Sequence, residues 1–224
     1  MKLLAIETST EHATVAITTS DGIYQVENNT IRQHAKQLLP MTETVLSQAG
    51  LNISQLDGIV FGRGPGSFTG LRIACSVAKA LAYAHDLPVY PVSTLETIAT
   101  LARKHFSKTY PSAPILAVID ARMNQLYWAC FDMDGSEAIE QVSDAGDIDY
   151  KKKGPILLAG FGFESYLHQF KASLQNNITE HFAAHPTAEM MINLVQSGQV
   201  PSTNAEQAMP VYIRNKVTHG GPGG

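Results

Sequence analysis

The chain has 224 residues, enough for one large domain or two small ones, each with its own core. Hydrophobic residues make up 44% and charged residues 16%, an ordinary globular balance. A formal net charge of −4 argues against a chain that grips nucleic acid over its whole surface, because phosphate affinity comes largely from Lys and Arg. Two cysteines, Cys75 and Cys130, are too few for a disulfide framework and fit a reducing compartment. The apolar run at 3–6 is too short for a signal-peptide core and no stretch approaches a membrane span, so the expectation is a cytoplasmic protein with no membrane partner.

In chain order, an apolar strand at 3–7 ends in Glu7, and a second strand leads to the turn Asp21-Gly22. Shifted by 113 residues, "LLAIETSTEHATVAITTSDG" falls without gaps on "LAVIDARMNQLYWACFDMDG", with Asp120 on Glu7 and Asp134-Gly135 on Asp21-Gly22. The expectation is a duplicated unit. Residues 22–27 read as a third strand and 33–49 as a helix that Pro40 kinks or restarts. A buried strand follows at 56–62, an Ala-rich helix from Leu71 to His85, and a strand at 87–92. Ser93 caps the next helix, which runs to about His105, with Glu96 at the capping-box position. Residues 108–114 read as a linker. Beyond it come strands at 115–120, 124–132, 137–142 and 155–160, a helix from about Phe163 and a helix from Pro186 to Gln196. Such halves predict a duplicated α/β, actin-like (RNase H-like) fold with mixed sheets flanked by helices. Its lobes are placed at 1–107 and 108–219, with a flexible tail at 220–224.

The stretch "FGRGPGSFTGLRIACSVAKALA" at 61–82 poses the functional question. It is neither a P-loop, which needs Gly-Lys-Ser/Thr at fixed spacing, nor the dinucleotide fingerprint, because position 69 is Thr69. A glycine turn entering a helix N-terminus can hold a phosphate. Equally, Gly64, Gly66 and Gly70 let turn and helix pack closely on a sheet. Leu71, Ala74, Cys75, Ala78 and Ala82 make a small apolar helix face that suits either the chain's own core or a helix of a second chain.

That stretch, with "AIETST" (5–10), "HAKQLLPMTETVLSQAGL" (34–51), "PVSTLETIA" (91–99) and "DARMNQLYWA" (120–129), closely resembles the bacterial TsaB (YeaZ) proteins over nearly the whole chain. The resemblance implies a two-lobed actin-like fold. It also implies a non-catalytic subunit of the machinery that places threonylcarbamoyl on the adenosine next to a tRNA anticodon. The implied partners are a TsaD-type transferase, a paralogue of the same fold, and a TsaE-type ATPase in the larger complex. The subunit would homodimerise when alone and reach tRNA only through the complex. The transferase carries a metal-binding His-x-x-x-His; here Thr94 and Ile98 stand at those positions, and neither side chain is an effective transition-metal ligand. No catalytic residue, metal or cofactor is therefore expected. The family pairs through its N-terminal lobe, which points to Leu38, Leu39, Leu71, Cys75, Ala78 and Ala82 as partner-interface residues; the competing reading of each is internal core.

Other constellations carry less. His181 and His185 have helical ligand spacing, but Pro186 places them in a loop before the last helix, without a third ligand. Ser9, Ser67 and Ser93 with His12, His34 or His85 lack the nucleophile-elbow context of a hydrolase. Glu7 and Asp120 occupy the places of the acids of actin-like ATPases, yet neither has a companion acid, so an ATP-hydrolysing enzyme using the interlobe cleft is the alternative. "YKKKGP" (150–155) reads as a solvated loop.

Overall fold

The computed structural model describes residues 1–29, 34–132, 138–150 and 154–214. The turn Asp134-Gly135, the lysines at 151–153 and the tail at 220–224 lie outside the described residues. Five strands make the first sheet: β1 (Leu3–Glu7), β2 (Ala13–Thr18), β3 (Ile23–Asn28), β4 (Gly58–Gly64) and β5 (Val89–Ser93). Their order is β3-β2-β1-β4-β5, with β1–β3 antiparallel and β4 and β5 added in parallel. β6 (Ile115–Arg122), β7 (Gln125–Phe131), β8 (Gln141–Asp144), β9 (Ile156–Phe161) and β10 (Ile178–Ala183) repeat the pattern as β10-β9-β6-β7-β8. The chain is thus a duplicated actin-like α/β protein of two mixed sheets flanked by helices. The ungapped repeat slips after the acid: Glu7 pairs with Thr14 but Asp120 with Leu126, so the second hairpin is one residue tighter. Arg122, Met123 and Asn124 make that turn with φ of 61°, 55° and 60°. β1 is buried along its whole length, which is why it reads as a continuous apolar run instead of an alternating one.

The helices are α1 (His34–Ala49), α2 (Phe68–His85), α3 (Thr94–Phe106), the short α4 (Ala172–Gln175) and α5 (Ala188–Gln196). α1 is one helix with Pro40 inside it on an exposed side, rather than two pieces. α2 begins three residues before Leu71 because the Ser67 hydroxyl accepts from Gly70 N at 3.3 Å and caps it. Ser93 caps α3 as expected, accepting from Glu96 N at 3.1 Å. The helix expected from Phe163 is a 3-10 segment, Glu164–Gln169, followed by α4. β10 has no counterpart among the expected strands: it is an edge strand that exposes Glu180 and His181, and its register on β9 is broken near Thr179, so it shows no alternation to read.

The helices do not respect the division at 107/108. α3, from the first half, covers the second sheet: Leu95, Ile98, Ala99 and Ala102 form one core with Ile115, Ala117, Ala129 and Leu157. α5, from the second half, covers the first sheet, where Met191, Ile192 and Val195 pack on Leu3, Ala5, Val60 and Val92. Residues 203–211 then return to the first lobe. Thr203 and Val89 exchange two backbone hydrogen bonds of 2.8 Å, Ala205 and Ala208 enter its core, and Val211 N donates to the Arg63 carbonyl at 2.8 Å. The boundary separates the sheets while each lobe lends the other a helix. Each fully buried Met or Ile of α5 is worth about 2 kcal/mol of removed apolar surface, so the exchange binds the halves strongly.

Candidate functional site

Between the lobes lies a cleft of about 760 Å³, walled by Ser9–Glu11, the turn from Pro65 to Leu71, the β6–β7 turn and Val211–Arg214. The strand ends aim the two suspected acids toward it, but they have diverged. Glu7, last in β1, is fully buried and does not line the cleft. One carboxylate oxygen accepts a short hydrogen bond from Ser9 N, and the other has no hydrogen-bond partner among the described residues. Burial pushes its pKa up to about 7, against the opposing pull of Ser9. Gly62 leaves room for it, since a Cβ there would run into the Glu7 carboxylate. Asp120 does face the cleft. It accepts from Arg122 N at 2.8 Å and the Tyr166 hydroxyl at 2.9 Å, and the Arg122 guanidinium lies 3.3 Å from its other oxygen. Arg122 also meets Glu11 across the lobes at 2.8 Å. The cleft therefore presents Asp120 and Glu11, both held on one guanidinium, and withholds Glu7.

The glycine turn packs closely on the end of β1. A Cβ at Gly70 would sit 1.8 Å from the Thr8 carbonyl oxygen and one at Gly66 would sit 2.5 Å from that of Ser9, so α2 touches the end of β1 only because both lack side chains. The same close approach turns the small-residue face inward. Leu38, Leu71, Cys75, Ala78 and Ala82 are buried within the chain's own lobe, a correction to their expected place on a partner surface. Of the six, Leu39 alone faces outward, 53% exposed.

Thr94 and Ile98, which the sequence resemblance sets against the metal-binding histidines, are both 0% exposed, Ile98 within the second sheet's core. Among the described residues no three His, Cys, Asp or Glu side chains are grouped to hold a metal. His181 belongs to β10 instead of a loop, and its ring meets Phe163 at 6.1 Å. His185 lies beyond the strand, its ring stacked on Phe161 at 4.7 Å and tilted by 32° against His12 at 3.9 Å, so His181 and His185 do not share a face. Ser67 and Ser93 are helix caps, and Ser9 abuts Glu7 through its backbone.

Several residues at the lobe junction carry no sequence signal of their own. The Arg63 fork grips Glu140 at 2.8 and 3.2 Å, and Glu140 in turn takes a short hydrogen bond from the Ser93 hydroxyl. Glu96 packs beside this group; burial raises its pKa, Arg63 lowers it, Glu140 raises it and Arg103 lowers it. Arg214 spans the cleft mouth, donating to Gln125 Oε1 at 2.7 Å and the Arg122 carbonyl at 3.4 Å. Arg63 stands inside the glycine stretch, whereas Glu140 and Arg214 lie in irregular segments where spacing says nothing. No helix among the described residues is long and apolar enough to cross a membrane.

Residues 21–210 match the family model described as TsaD, tRNA N6-adenosine threonylcarbamoyltransferase. The tRNA threonylcarbamoyladenosine biosynthesis protein TsaB of Haemophilus influenzae is 33% identical, with 97% of this chain and 95% of the relative covered. Its namesake in Escherichia coli is 31% identical over 97% and 96%. Among solved structures, YeaZ from Pseudomonas aeruginosa superposes with a TM-score of 0.79 at 33% identity, covering 94% of this chain and 99% of that one. A second matching structure, at TM-score 0.82, is described as a protein with similarity to peptidase YeaZ from the same organism. With the strand order, the glycine turn and relatives aligned almost end to end, the chain belongs to the TsaB (YeaZ) family.

Proposed function

We propose that the chain is the non-catalytic subunit of the complex that forms N6-threonylcarbamoyladenosine next to the tRNA anticodon, working in the cytoplasm as the partner of a TsaD-type transferase. The observation that carries this reading is the burial of Thr94 and Ile98, which leaves nothing to hold a metal where the paralogue's histidines stand. Withdrawal of Glu7 into the core supports it, because a carboxyl with a pKa near 7 and no access to the cleft is a poor anchor for a metal–phosphate group. The same facts count against an ATP-hydrolysing enzyme working in that cleft, and against a peptidase.

The partner surface is the outer side of α1 and α2, where Leu39 and Tyr83 are exposed and Ile73 and Val77 are partly so. An apolar face of this kind seeks burial. It serves a TsaD-type helix pair when that partner is present and a second copy of this chain when it is not. A TsaE-type ATPase joins the assembled pair, and tRNA is met through the complex. The test is co-expression with a TsaD-type protein from the same cell, followed by co-purification and a threonylcarbamoyladenosine assay with and without this chain. Copurification and an assay that depends on this chain are the expected results. Robust ATP turnover by the chain alone would refute the reading.

A further inference from the structure

Among the described residues the polypeptide passes between its lobes at two places, and the two are fastened differently. At the first, where β5 gives way to α3, the fastening is ionic: Arg63 from β4 holds Glu140 from the second half, and Glu140 is bonded to Ser93. At the second, residues 184–187 carry the chain from β10 to α5. There Ala184 N donates to the Gly160 carbonyl at 2.7 Å on one lobe, and Ala188 N donates to Thr14 Oγ1 at 2.8 Å on the other. Midway sits His185, with its ring between Phe161 of the second lobe and His12 of the first. The crossing is therefore closed by two imidazoles whose centroids are 3.9 Å apart.

We propose that the His12–His185 ring contact is a proton-sensitive hinge. Neutral imidazoles hold the lobes together at this crossing, and protonation of the pair frees that edge of the cleft while the Arg63–Glu140 crossing stays shut. Two cationic rings with centroids 3.9 Å apart repel each other, and that repulsion is little screened in a half-buried site. The surrounding charges do not cancel that effect. From the β1–β2 turn comes Glu11, already bound to Arg122; from the β6–β7 hairpin come Asp120 and Arg122, bound to each other; from the 3-10 segment comes Glu164. Burial and then His12 hold the His185 pKa below its ordinary value, outweighing the upward pull of Glu11 and Glu164. His185 Nδ1 is buried without a hydrogen-bond partner among the described residues, as a neutral ring tolerates and an imidazolium does not. A cavity of about 150 Å³ bounded by His185, Phe161, Gly162, Arg122, Asp120 and Glu11 gives water a path to the ring once the contact parts.

The test is hydrogen exchange of the full chain at pH 7.5 and 5.5, corrected for intrinsic rates. The reporters are the amides of His12, Ala184 and Ala188, with Glu96 N at the first crossing as control. Acidification is expected to raise opening at the three reporters about tenfold and leave Glu96 unchanged. His185→Phe, which keeps an aromatic ring and removes the charge, is expected to abolish the rise. His12→Phe is expected to do the same, so failure of one variant to fold leaves the other decisive. An unchanged opening in the native chain, an equal rise at Glu96, or a rise that persists in a folded phenylalanine variant overturns the proposal.

Discussion

Replacing Glu7 with glutamine isolates the effect of burying a carboxyl in this fold. The folded pKa of Glu7 stands at about 7 against an ordinary 4.5, so the folded state holds a proton that the unfolded chain releases. Because the folded value is raised, the associated stability is fully present below pH 4.5 and is lost as pH rises through 7. A pKa difference of one between folded and unfolded chains corresponds to about 1.4 kcal/mol, so the native chain forfeits about 3 kcal/mol to this one group between mildly acidic and mildly alkaline pH. Glutamine has nearly the same shape and no proton to lose. The Ser9 amide keeps an acceptor, and an amide nitrogen replaces only the second oxygen, which has no hydrogen-bond partner among the described residues. Urea unfolding of both proteins at several pH values from 4.5 to 8.5, followed by far-UV circular dichroism, supplies the comparison. The stability of Glu7→Gln relative to the native chain should climb by about 3 kcal/mol across that range, with every other titrating group cancelling in the difference. A difference constant within about 0.5 kcal/mol, or one that falls with pH, would refute the assignment of Glu7 as a buried neutral acid.

Gly70→Ala places a methyl 1.8 Å from the Thr8 carbonyl oxygen and should cost at least about 3 kcal/mol, seen as a large fall in Tm. Arg63→Ala leaves Glu140 and Glu96 without their shared cation and should cost about 2 kcal/mol at neutral pH by urea unfolding, with part of the loss recovered at pH 5. Ile192→Ala should remove about 3 kcal/mol from a core lying wholly under the first sheet, although the mutation belongs to the second half of the chain; thermal unfolding should still show a single transition. Leu39→Glu should leave stability within about 0.5 kcal/mol of native and yet lower recovery of a TsaD-type partner at least tenfold in a pull-down.

Much of this architecture is legible in the sequence because its signals are local. The acid-ended strands, the third strand of the first half and the Ser93 cap each rest on a few adjacent residues whose chemistry admits few alternatives. β10 is hidden because an edge strand with one polar side and a register break has no period to detect. The inward orientation of Leu71, Cys75 and Ala78 is hidden for a different reason. A stripe of small residues marks close packing, and only the position of the sheet decides which neighbour is packed against. Glu7 is recognisable as a position but not as a buried neutral group, because its exclusion from the cleft depends on Gly62 and Ser9 closing over it. The ion pair of Arg63 with Glu140 and the contacts of His185 join residues far apart in the chain, and no spacing rule reaches them.

The exchange of α3 and α5 sets a timetable for biosynthesis. The strands of the first sheet are complete once Ser93 has been made, but the face formed by Leu3, Ala5, Val60 and Val92 has no cover until α5 begins at Ala188. At ribosomal rates of about 5–20 residues per second, that apolar surface waits roughly 5–20 s for its helix. The nascent first lobe therefore presents an apolar face until the second half is made, and a pause in translating that half lengthens its exposure.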